Sequence, residues 1–482
     1  TLLPERRMMK SVAIVCCECV PFVKVGGLAD VTGALLVKLP KYVDTKVFLP
    51  AFSQITRKYP CDVVGEYEVS FSQDRIEKAI LLRMKDKHNV YLIANNHYFD
   101  RDQLYGESGI DYPDNLLRFS FFAKAVLECC KQSGISVDVF HCNDWHTALL
   151  PLYKKLFYPD TGTASVFTIH NLAYQGIFPA SQFPALGLGG EFFSMEQLEF
   201  YGNINLMKAG IIHSDVINTV SPTYAKEILS AEFGCKLEGL LKTREKDLVG
   251  ILNGIDYLVW NPGFDSAIFK KYRTRKGKLV NKTMLQDKFS LPASVETPVF
   301  GFVGRFVQQK GIDLIVAAVE SLKEKDFQFI GLGTGERVYE EAITLLAKKY
   351  PDRVAVKIGF DDALARQIYA GSDFFLMPSR FEPCGLGQLI SLKYGTIPIV
   401  RKTGGLADTI QPINVETQEG WGFVFEDADF SQLVQAMNMA IDLYPDTTFM
   451  EHLFKKAISL DFSWNKSVEQ YIALYQRAFE KR

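Results

Sequence analysis

The chain has 482 residues, which is too long for one ordinary core and fits two domains. Hydrophobic residues make up 48% and charged residues 23%, a composition typical of a globular protein. A formal net charge of −2 provides no field that would attract a polyanion, so nucleic acid is not expected as a partner. The sequence has no apolar run of 18 residues and no recognisable signal or transit peptide, so we expect no membrane contact.

The number and positions of the cysteines indicate the redox state of the cellular compartment. There are nine, an odd number, and several lie inside apolar runs, namely Cys16, Cys17, Cys19, Cys129 and Cys130. This pattern predicts reduced, buried thiols, so we expect a cytoplasmic protein, or one of the plastid stroma if the host is a photosynthetic eukaryote. Cys16 and Cys19 form a C-x-x-C pair without a second pair, so no metal or redox site is expected. We interpret residues 1–7 as a leader outside the fold.

In the first half, short apolar runs alternate with helical patterns. Strands are predicted at 12–19, 45–49, 90–94, 137–142, 164–169 and 216–220. A long amphipathic helix is predicted at 115–133, and residues 66–84 have the pattern of a hairpin. Strands that alternate with helices favour an α/β fold with a doubly wound parallel sheet.

A glycine turn at residues 24–30 lies between the first strand and the first helix. Gly26 and Gly27 let the backbone approach a ligand closely, the first N–H groups of the helix point at it, and Lys24 adds positive charge. The same Lys-x-Gly-Gly-Leu-Ala-Asp pattern recurs at residues 402–408, again after an apolar run. The sequence therefore predicts two anion-binding turns, one from each half.

The middle of the chain marks a domain boundary near residue 253, where Asn, Gly and Pro cluster. The basic run at 270–282 is interpreted as a solvated loop or helix start, with a glycan or phosphate contact as the alternative. Strands are predicted at 297–303, 327–332, 354–358, 373–377, 397–400 and 421–425. We predict domains at 8–253 and 254–460, with a last helix in 461–482, capped by Ser463, that returns to the first domain.

Several motifs carry a resemblance to a known family. Besides residues 24–30, they are Asn143-Asp144-Trp145-His146, residues 170–176, Asn253-Gly254-Ile255-Asp256, Arg305 with Gln309-Lys310-Gly311, and residues 378–386. In this order they resemble bacterial glycogen synthases and plant-type starch synthases, glycosyltransferase family 5, over nearly the whole chain. The resemblance implies the GT-B fold, two Rossmann-like domains that face an interdomain cleft.

The same resemblance implies a function. The family transfers glucose from ADP-glucose to the non-reducing end of an α-1,4-glucan, glycogen or starch, with retention of configuration and without a cofactor or divalent metal. The choice between ADP and UDP, the acceptor length and the oligomeric state stay open. Two rivals also stay open, another retaining GT-B transferase with a small-sugar acceptor and a catalytically silent glucan-binding protein. The second rival predicts degraded catalytic positions, yet Lys24, Arg305, Lys310 and Glu382 are all present.

The resemblance also assigns site residues in three groups. The catalytic group is Glu382, Arg305, Lys310 and His170. The donor-binding group is Lys24, Gly27, Asp30, Gly333, Phe360, Cys384, Gly385, Leu386, Thr403, Gly404 and Gly405. The sugar and acceptor group is Asp144, Asn171, Asn253 and Phe99. Arginine can grip a diphosphate bidentately and lysine acts on it as a point charge, which suits a reaction whose leaving group gathers negative charge.

Some positions depart from the family pattern. Phe360 and Phe99 replace tyrosines associated with the nucleotide base and the acceptor, and Gly387 stands where a threonine is common. Ile390 stands at the position of a second glutamate, so a front-face mechanism is favoured over a double displacement. Two D-x-D triplets, at 100–102 and 427–429, are interpreted as a loop and a helix cap rather than metal sites.

Overall fold

The computed structural model of the chain describes residues 8–73, 75–107 and 109–482, so the predicted leader lies outside the described residues. The described chain divides into two compact units. Unit 1 comprises the described residues up to Val220, Ala225–Ile251 and Trp464–Arg482, and unit 2 comprises Ser221–Tyr224 and Leu252–Ser463. Within the described residues, no helix is both long and apolar enough to cross a membrane.

Strands occur in both units. Those of unit 1 are β1 Ser11–Val15, β2 Asp44–Pro50, β3 Cys61–Ser70, β4 Ile76–Met84, β5 Val90–Ala94, β6 Gly106–Glu107, β7 Ile110–Asp111, β8 Val139–Asn143, β9 Ala164–Ile169, β10 Ile177–Pro179, β11 Glu199–Phe200, β12 Asn203–Asn205, β13 Val216–Thr219 and β14 Leu248–Gly250. Those of unit 2 are β15 Val299–Val303, β16 Gln328–Gly333, β17 Val354–Ile358, β18 Phe374–Met377, β19 Ile397–Arg401 and β20 Phe423–Phe425.

Helices follow most of these strands. The first eight are α1 Gly27–Lys38, α2 Ser53–Thr56, α3 Asn96–Phe99, α4 Asn115–Ser133, α5 Leu149–Phe157, α6 Leu206–His213, α7 Pro222–Glu227 and α8 Glu238–Thr243. The others are α9 Arg275–Lys288, α10 Ile312–Ser321, α11 Arg337–Lys349, α12 Asp362–Gly371, α13 Gly387–Lys393, α14 Gly404–Thr409, α15 Phe430–Leu443, α16 Thr447–Ser459 and α17 Trp464–Glu480. The predicted helix at 115–133 and the predicted hairpin, formed by β3 and β4, are confirmed.

Unit 1 is built on a sheet with the strand order β14-β13-β9-β8-β1-β2-β5-β4-β3. The strands from β14 to β5 run parallel, and the β3–β4 hairpin adds an antiparallel edge. All residues of β1 and β9 are buried, as in a sheet covered by helices on both faces. The predicted doubly wound parallel sheet is thus confirmed, with an antiparallel edge.

Helix α17 belongs to unit 1, where it packs against α1 and β9. Its Tyr475 hydroxyl lies 2.9 Å from Nδ1 of His141, a buried residue of β8, and Nε2 of that ring lies 2.5 Å from the hydroxyl of Thr168. Burial lowers the pKa of His141 to about 3, so the ring is neutral and serves as a link between hydroxyl groups. The end of the chain is thereby anchored in the core of the first sheet.

Unit 2 contains a wholly parallel sheet with the strand order β17-β16-β15-β18-β19-β20. The six strands predicted for this half all form, each within two residues of the predicted ends. In its core, the Phe300 ring lies 5.6 Å from the Phe327 ring and 5.2 Å from the Phe374 ring, measured between centroids. Alternating β and α elements in both units confirm the predicted α/β class.

The basic run at 270–282 corrects one expectation. It does contain the start of α9, but Lys278 and Lys282 are only 4% and 1% exposed rather than solvated. The Lys278 ammonium donates to the carbonyls of Tyr369 and Ala370 and to the hydroxyl of Thr396, and Lys282 forms an ion pair of 2.8 Å with Asp373. Buried ammonium groups persist here because each one finds several acceptors in the fold.

Candidate active site

Each of the two large sheets has one switch point, where the strands on one side are connected in one direction and those on the other side in the opposite direction. Open α/β sheets bind ligands outside the carboxyl ends of their strands at that point. In unit 2 the point lies between β15 and β18, since β15 leads to β16 on one side while β18 leads to β19 on the other. Arg305 and Lys310 follow β15, and Glu382 follows β18. The topology therefore brings together the two segments that carry these predicted catalytic residues.

Lys310 and Glu382 are in direct contact. The Lys310 ammonium lies 2.5 Å from Oε2 of Glu382, and the hydroxyl of Ser379 donates to the same oxygen at 2.9 Å. Glu382 is 5% exposed and Ser379 is 1% exposed. A loop glutamate is normally solvated, so a buried carboxylate that is paired and hydrogen-bonded marks a built site.

Arg305 is an exposed residue that is linked through Gln309 to the segment that carries Glu382. Its Nη2 donates to Oε1 of Gln309 at 3.1 Å, and Nε2 of Gln309 donates to the carbonyl of Phe381 at 3.1 Å. Gln309 therefore connects the segment after β15 to the segment after β18. The Arg305 guanidinium is held in place by Gln309, and the residue remains exposed to solvent.

Gly333 is the last residue of β16, and Phe360 follows β17. A Cβ on Gly333 would overlap the carbonyl oxygen of Gly304, so the glycine permits close packing of the Arg305 segment. Phe360 comes directly after Gly359, which has φ +134°, and its ring is 89% exposed. A bare aromatic ring at the carboxyl end of a parallel strand is available for stacking on a planar ligand.

Residues 382–386 form a loop, and the first turn of α13 holds two of its carbonyl groups. Nε2 of the buried Gln388 donates to the carbonyls of Cys384 and Gly385 at 3.1 and 3.0 Å. Gly385 has φ +73°, a conformation that suits glycine. Leu386 is the residue before α13. The loop is thus fixed before any ligand arrives.

Asn253 contacts this loop within unit 2. Its backbone and side chain are hydrogen-bond partners of the Cys384 thiol, whose pKa is raised to about 12 chiefly by burial. Oδ1 of Asn253 is buried and has no partner among the described residues. A buried acceptor without a donor is costly, which makes this oxygen a candidate to receive a ligand hydroxyl.

The second glycine turn differs from the prediction. The N–H of Gly405 donates to the carbonyl of Glu382 at 3.1 Å, so this group is not available to a phosphate. A Cβ on Gly404 or Gly405 would overlap a carbonyl oxygen of Glu382 or Cys384. These glycines are therefore required by the packing of the Glu382 loop. Thr403 and Gly404 are buried beside it, and their contact with the donor stays a prediction.

The first glycine turn is open by comparison. A Cβ on Gly26 or Gly27 would meet no atom of the described residues within 4 Å, so packing against those residues does not require glycine there. Lys24 forms an ion pair of 2.7 Å with Asp30, and its side chain is 45% exposed. The free space in front of the backbone is what a ligand that approaches the N-terminus of α1 would need.

Asp144 and His170 form a second cluster in unit 1, after β8 and β9. The Asp144 carboxylate accepts the N–H of His170 at 2.8 Å, and Nε2 of His170 lies 2.9 Å from Oδ1 of Asn143. Burial raises the pKa of Asp144 to about 8 and lowers the pKa of His170 to about 3. Asp144 also has φ +57°, a strained conformation for a residue with a side chain.

Asn171 and Phe99, two residues predicted for the sugar and acceptor site, both make contacts within unit 1. Oδ1 of Asn171 accepts the N–H of Ala173 at 3.0 Å, which fixes the turn after β9. Phe99 is fully buried and packs edge-on against Phe52 and Phe122. The contact of Phe99 with an acceptor therefore stays a prediction, and its ring lies inside an aromatic cluster in this structure.

Comparisons with known proteins agree with this arrangement. The family model for the starch synthase catalytic domain matches residues 11–243, and the model for glycosyl transferases group 1 matches residues 297–442. The glycogen synthase of Thermodesulfovibrio yellowstonii is 43% identical over 98% of both chains, and that of Fervidobacterium nodosum is 44% identical over 98% of this chain and 99% of its own.

The chain belongs to the glycogen and starch synthase family. Members of this family are glycosyltransferases, so the protein is an enzyme of that class and the predicted resemblance is confirmed. A solved structure of the starch synthase IV catalytic domain from Arabidopsis thaliana, bound to ADP and acarbose, matches with a TM-score of 0.88 and 34% identity over 98% of this chain and 100% of that chain. The GT-B fold expected of a glycogen or starch synthase is confirmed by this match.

The two D-x-D triplets of this glycogen or starch synthase have structural partners. Asp102 forms an ion pair of 2.9 Å with Arg57, and Asp429 caps α15 by accepting the N–H of Ser431 at 2.8 Å. In the described part of the chain, no group of three or more His, Cys, Asp and Glu side chains could hold a metal ion.

Sequence reasoning missed two polar residues of this family member. Glu18 is 5% exposed and accepts the backbone N–H groups of Val25 and Gly26, while the Tyr105 hydroxyl donates to its other oxygen. A single glutamate inside the apolar run before the glycine turn is the signal that could have revealed it. Tyr105 carries no such signal, since its loop brings it to Glu18 across 87 residues.

Proposed function

We propose that this glycogen or starch synthase transfers glucose from ADP-glucose to the non-reducing end of an α-1,4-glucan, with retention of configuration. The observation that carries the proposal is the cluster of Lys310, Glu382 and Arg305 at the reversal point of the second sheet. Cations at this position can neutralise a diphosphate, and a buried carboxylate beside them can face the sugar that the diphosphate carries. Unit 2 is accordingly the donor-binding unit.

The residues suit the departure of a nucleoside diphosphate. As the bond from glucose to the diphosphate breaks, negative charge develops on the phosphate oxygens, and Lys310 and Arg305 stabilise it. The Glu382 carboxylate keeps Lys310 in position and favours the positive charge that develops on the sugar ring. Because these charges are fixed before the reaction, little reorganisation is needed when the bond breaks.

The retention of configuration is proposed to follow a front-face route. Ile390, which stands where a second glutamate would serve as nucleophile, is buried and apolar. Asp144 in unit 1 is largely protonated near neutral pH because its pKa is about 8, so it serves as a hydrogen-bond donor to sugar hydroxyls. His170 is neutral and acts through hydrogen bonds as well.

We further propose that the base of the nucleotide sugar is adenine. The related starch synthase IV structure contains ADP, and Phe360 offers a ring for stacking on a base. A transferase with a small-sugar acceptor is the second candidate, but the sucrose-phosphate synthase structure from Thermosynechococcus elongatus is only 17% identical, with a TM-score of 0.60, and supports the fold alone.

The compartment is proposed to be the cytoplasm, with the plastid stroma as the alternative. All nine cysteines are free thiols, and seven of them are buried. Such thiols suit a reducing compartment.

The test uses purified protein with glycogen and each of ADP-[14C]glucose and UDP-[14C]glucose. We expect label in ethanol-precipitated glucan from ADP-glucose, with kcat/KM at least tenfold above that for UDP-glucose. Label from UDP-glucose alone would overturn the choice of donor. Label in a small saccharide, with none in the glucan, would favour the second candidate.

A further inference from the structure

The first glycine turn, residues 24–30, is held in place by the Glu18 carboxylate. Oε2 of Glu18 accepts the N–H of Val25 at 2.6 Å and the N–H of Gly26 at 2.7 Å. Oε1 accepts the hydroxyl of Tyr105 at 2.8 Å. Glu18 is 5% exposed, so these three donors replace water around its carboxylate. Hydrogen bonds to an ionised acceptor are roughly twice as strong as neutral ones, so the turn is firmly tied.

Tyr105 is itself fixed by the buried start of α4. Nδ2 of Asn115 donates to the carbonyl of Tyr105 at 2.9 Å, and Nη1 of Arg118 donates to Oδ1 of Asn115 at 2.7 Å. The Tyr105 ring stacks on His146 with centroids 4.6 Å apart. Burial holds the pKa of Tyr105 well above its usual value, so its hydroxyl remains a donor. A continuous polar chain thus runs from the core of unit 1 to the glycine turn.

The bonds to Glu18 divide the N–H groups of the turn. Those of Val25 and Gly26 point inward at the carboxylate and are closed to any ligand. In the first turn of α1, which begins at Gly27, the N–H of Ala29 donates to the carbonyl of Gly26 at 3.3 Å, while the N–H groups of Gly27 and Leu28 have no backbone acceptor among the described residues and lie at the open end of the helix. Gly26 and Gly27 leave open space in front of them. The N–H groups of Val25 and Gly26 are therefore occupied by Glu18, while those of Gly27 and Leu28 remain accessible to a ligand.

We propose that Glu18, supported by Tyr105, is a positioning residue that presents the N-terminus of α1 to the diphosphate of the sugar donor. This inference rests on the proposed function, because it takes the ligand to be a nucleoside diphosphate. Glu18 does not touch the substrate. It orients N–H groups toward charge that develops in the transition state, so its loss lowers kcat more than it raises KM.

The test compares Glu18→Gln and Tyr105→Phe with Asp138→Asn as a matched control. Asp138 also accepts two backbone N–H groups in unit 1, those of Lys10 at 2.7 Å and Ser11 at 3.1 Å, but at the opposite end of β1. Each variant is characterised by its thermal midpoint, by kcat and KM for ADP-glucose, and by amide hydrogen exchange of residues 24–30 with and without ADP.

We expect Glu18→Gln to speed exchange at Val25 and Gly26 at least tenfold, to abolish protection of Gly27 and Leu28 by ADP, and to lower kcat at least tenfold while KM changes less than threefold. Tyr105→Phe should show the same pattern to a smaller degree. Asp138→Asn should match the fall in thermal midpoint and leave both kcat and the exchange of residues 24–30 unchanged.

Three results would overturn the proposal. Unchanged exchange in Glu18→Gln would mean that the carboxylate does not hold the turn. Faster exchange in Glu18→Gln with normal kcat and normal ADP protection would show that the bonds to Glu18 only stabilise the fold. Tighter ADP binding by Glu18→Gln would show that the Glu18 carboxylate repels the diphosphate. If the wild-type protein transfers no glucose, the proposed function fails, and protection of Gly27 and Leu28 by ADP still decides whether Glu18 positions the turn.

Discussion

The ammonium of Lys310 lies 2.5 Å from the carboxylate of Glu382, and the contact joins the segments that follow two adjacent parallel strands, β15 and β18. Ser379 donates to the same carboxylate oxygen, and the N–H of Gly405 donates to the Glu382 carbonyl. The glutamate is therefore fixed through both its side chain and its backbone. A pair held this firmly at the ligand-binding edge of a sheet is suited to act on charge that appears during a reaction.

Removal of either member of this pair should slow the transfer step. We expect Lys310→Met and Glu382→Gln each to lower kcat by about 10²–10³, the usual loss when one preorganised electrostatic partner is removed. The double variant should lose little more than the worse single variant, because the two side chains act as a unit. Lys349→Met, which breaks an exposed ion pair with Glu320 in the same unit, is the control and should keep normal kcat. Near-normal turnover in folded single variants would contradict the assignment.

Transfer should not depend on a divalent metal. Arg305 and Lys310 supply the positive charge at the predicted diphosphate position, and both D-x-D triplets have structural partners. We expect initial rates after exhaustive EDTA treatment and gel filtration to stay within about twofold of the untreated rates. A loss of more than tenfold that Mg²⁺ or Mn²⁺ restores would show that the enzyme uses a metal.

Phe360 should contribute to donor binding rather than to the chemical step. Stacking of an aromatic ring on a base contributes about 1–3 kcal/mol, so Phe360→Ala should raise KM for ADP-glucose at least about fivefold with kcat nearly unchanged. The ring is 89% exposed, so the thermal midpoint should not move. Leu258→Ala removes an apolar side chain that is 85% exposed in the same unit and should leave KM unchanged. An equal KM in both variants would exclude stacking by Phe360.

Asp144 should make the stability of the protein depend on pH. Burial raises its pKa from 3.8 to about 8, so the folded state holds a proton that the unfolded chain releases. Its contribution to stability is present below pH 4 and is lost as the pH rises through 8. Asparagine cannot ionise, so the free energy of unfolding of Asp144→Asn, minus that of the wild type, should increase from pH 5 to pH 9 in urea titrations.

A matched control for this titration is Asp313→Asn. Its hydrogen bonds with Arg380 hold the pKa of Asp313 below 3.8, so this carboxyl is ionised in both states from pH 5 to pH 9. The difference between Asp313→Asn and the wild type should therefore stay constant over that range. The same flat difference for Asp144→Asn would mean that Asp144 is ionised in the folded protein.

Local sequence patterns predicted the sheets well, because buried parallel strands are short apolar runs separated by helical periodicity. The strand from Ala164 to Ile169 and the helix from Asn115 to Ser133 form with the predicted bounds. The buried lysines were not predictable in this way. Lys278 and Lys282 lie in a run that looks solvated, and their acceptors, Thr396 and Asp373, are distant in sequence.

The glycine turns illustrate the same limit within the site. Residues 24–30 and 402–408 share a pattern, and the sequence predicts one role for both. In the structure Gly404 and Gly405 make room for carbonyls of the Glu382 loop, while Gly26 and Gly27 face open space. Only tertiary packing separates these cases. Phe99 is similar, because its burial depends on the Phe52 ring and on the Phe121 and Phe122 rings of α4, which lie in two other segments of the chain.

The central claim is that the enzyme transfers glucose from a nucleoside diphosphate to an α-1,4-glucan with retention. The most direct measurement is the NMR spectrum of the product formed from ADP-[1-13C]glucose and maltohexaose. We expect the labelled C1 signal to appear with the shift and coupling of an α-1,4 linkage at the non-reducing end of a longer glucan. A labelled carbon in a β linkage, in free glucose or in a small-sugar product would contradict it.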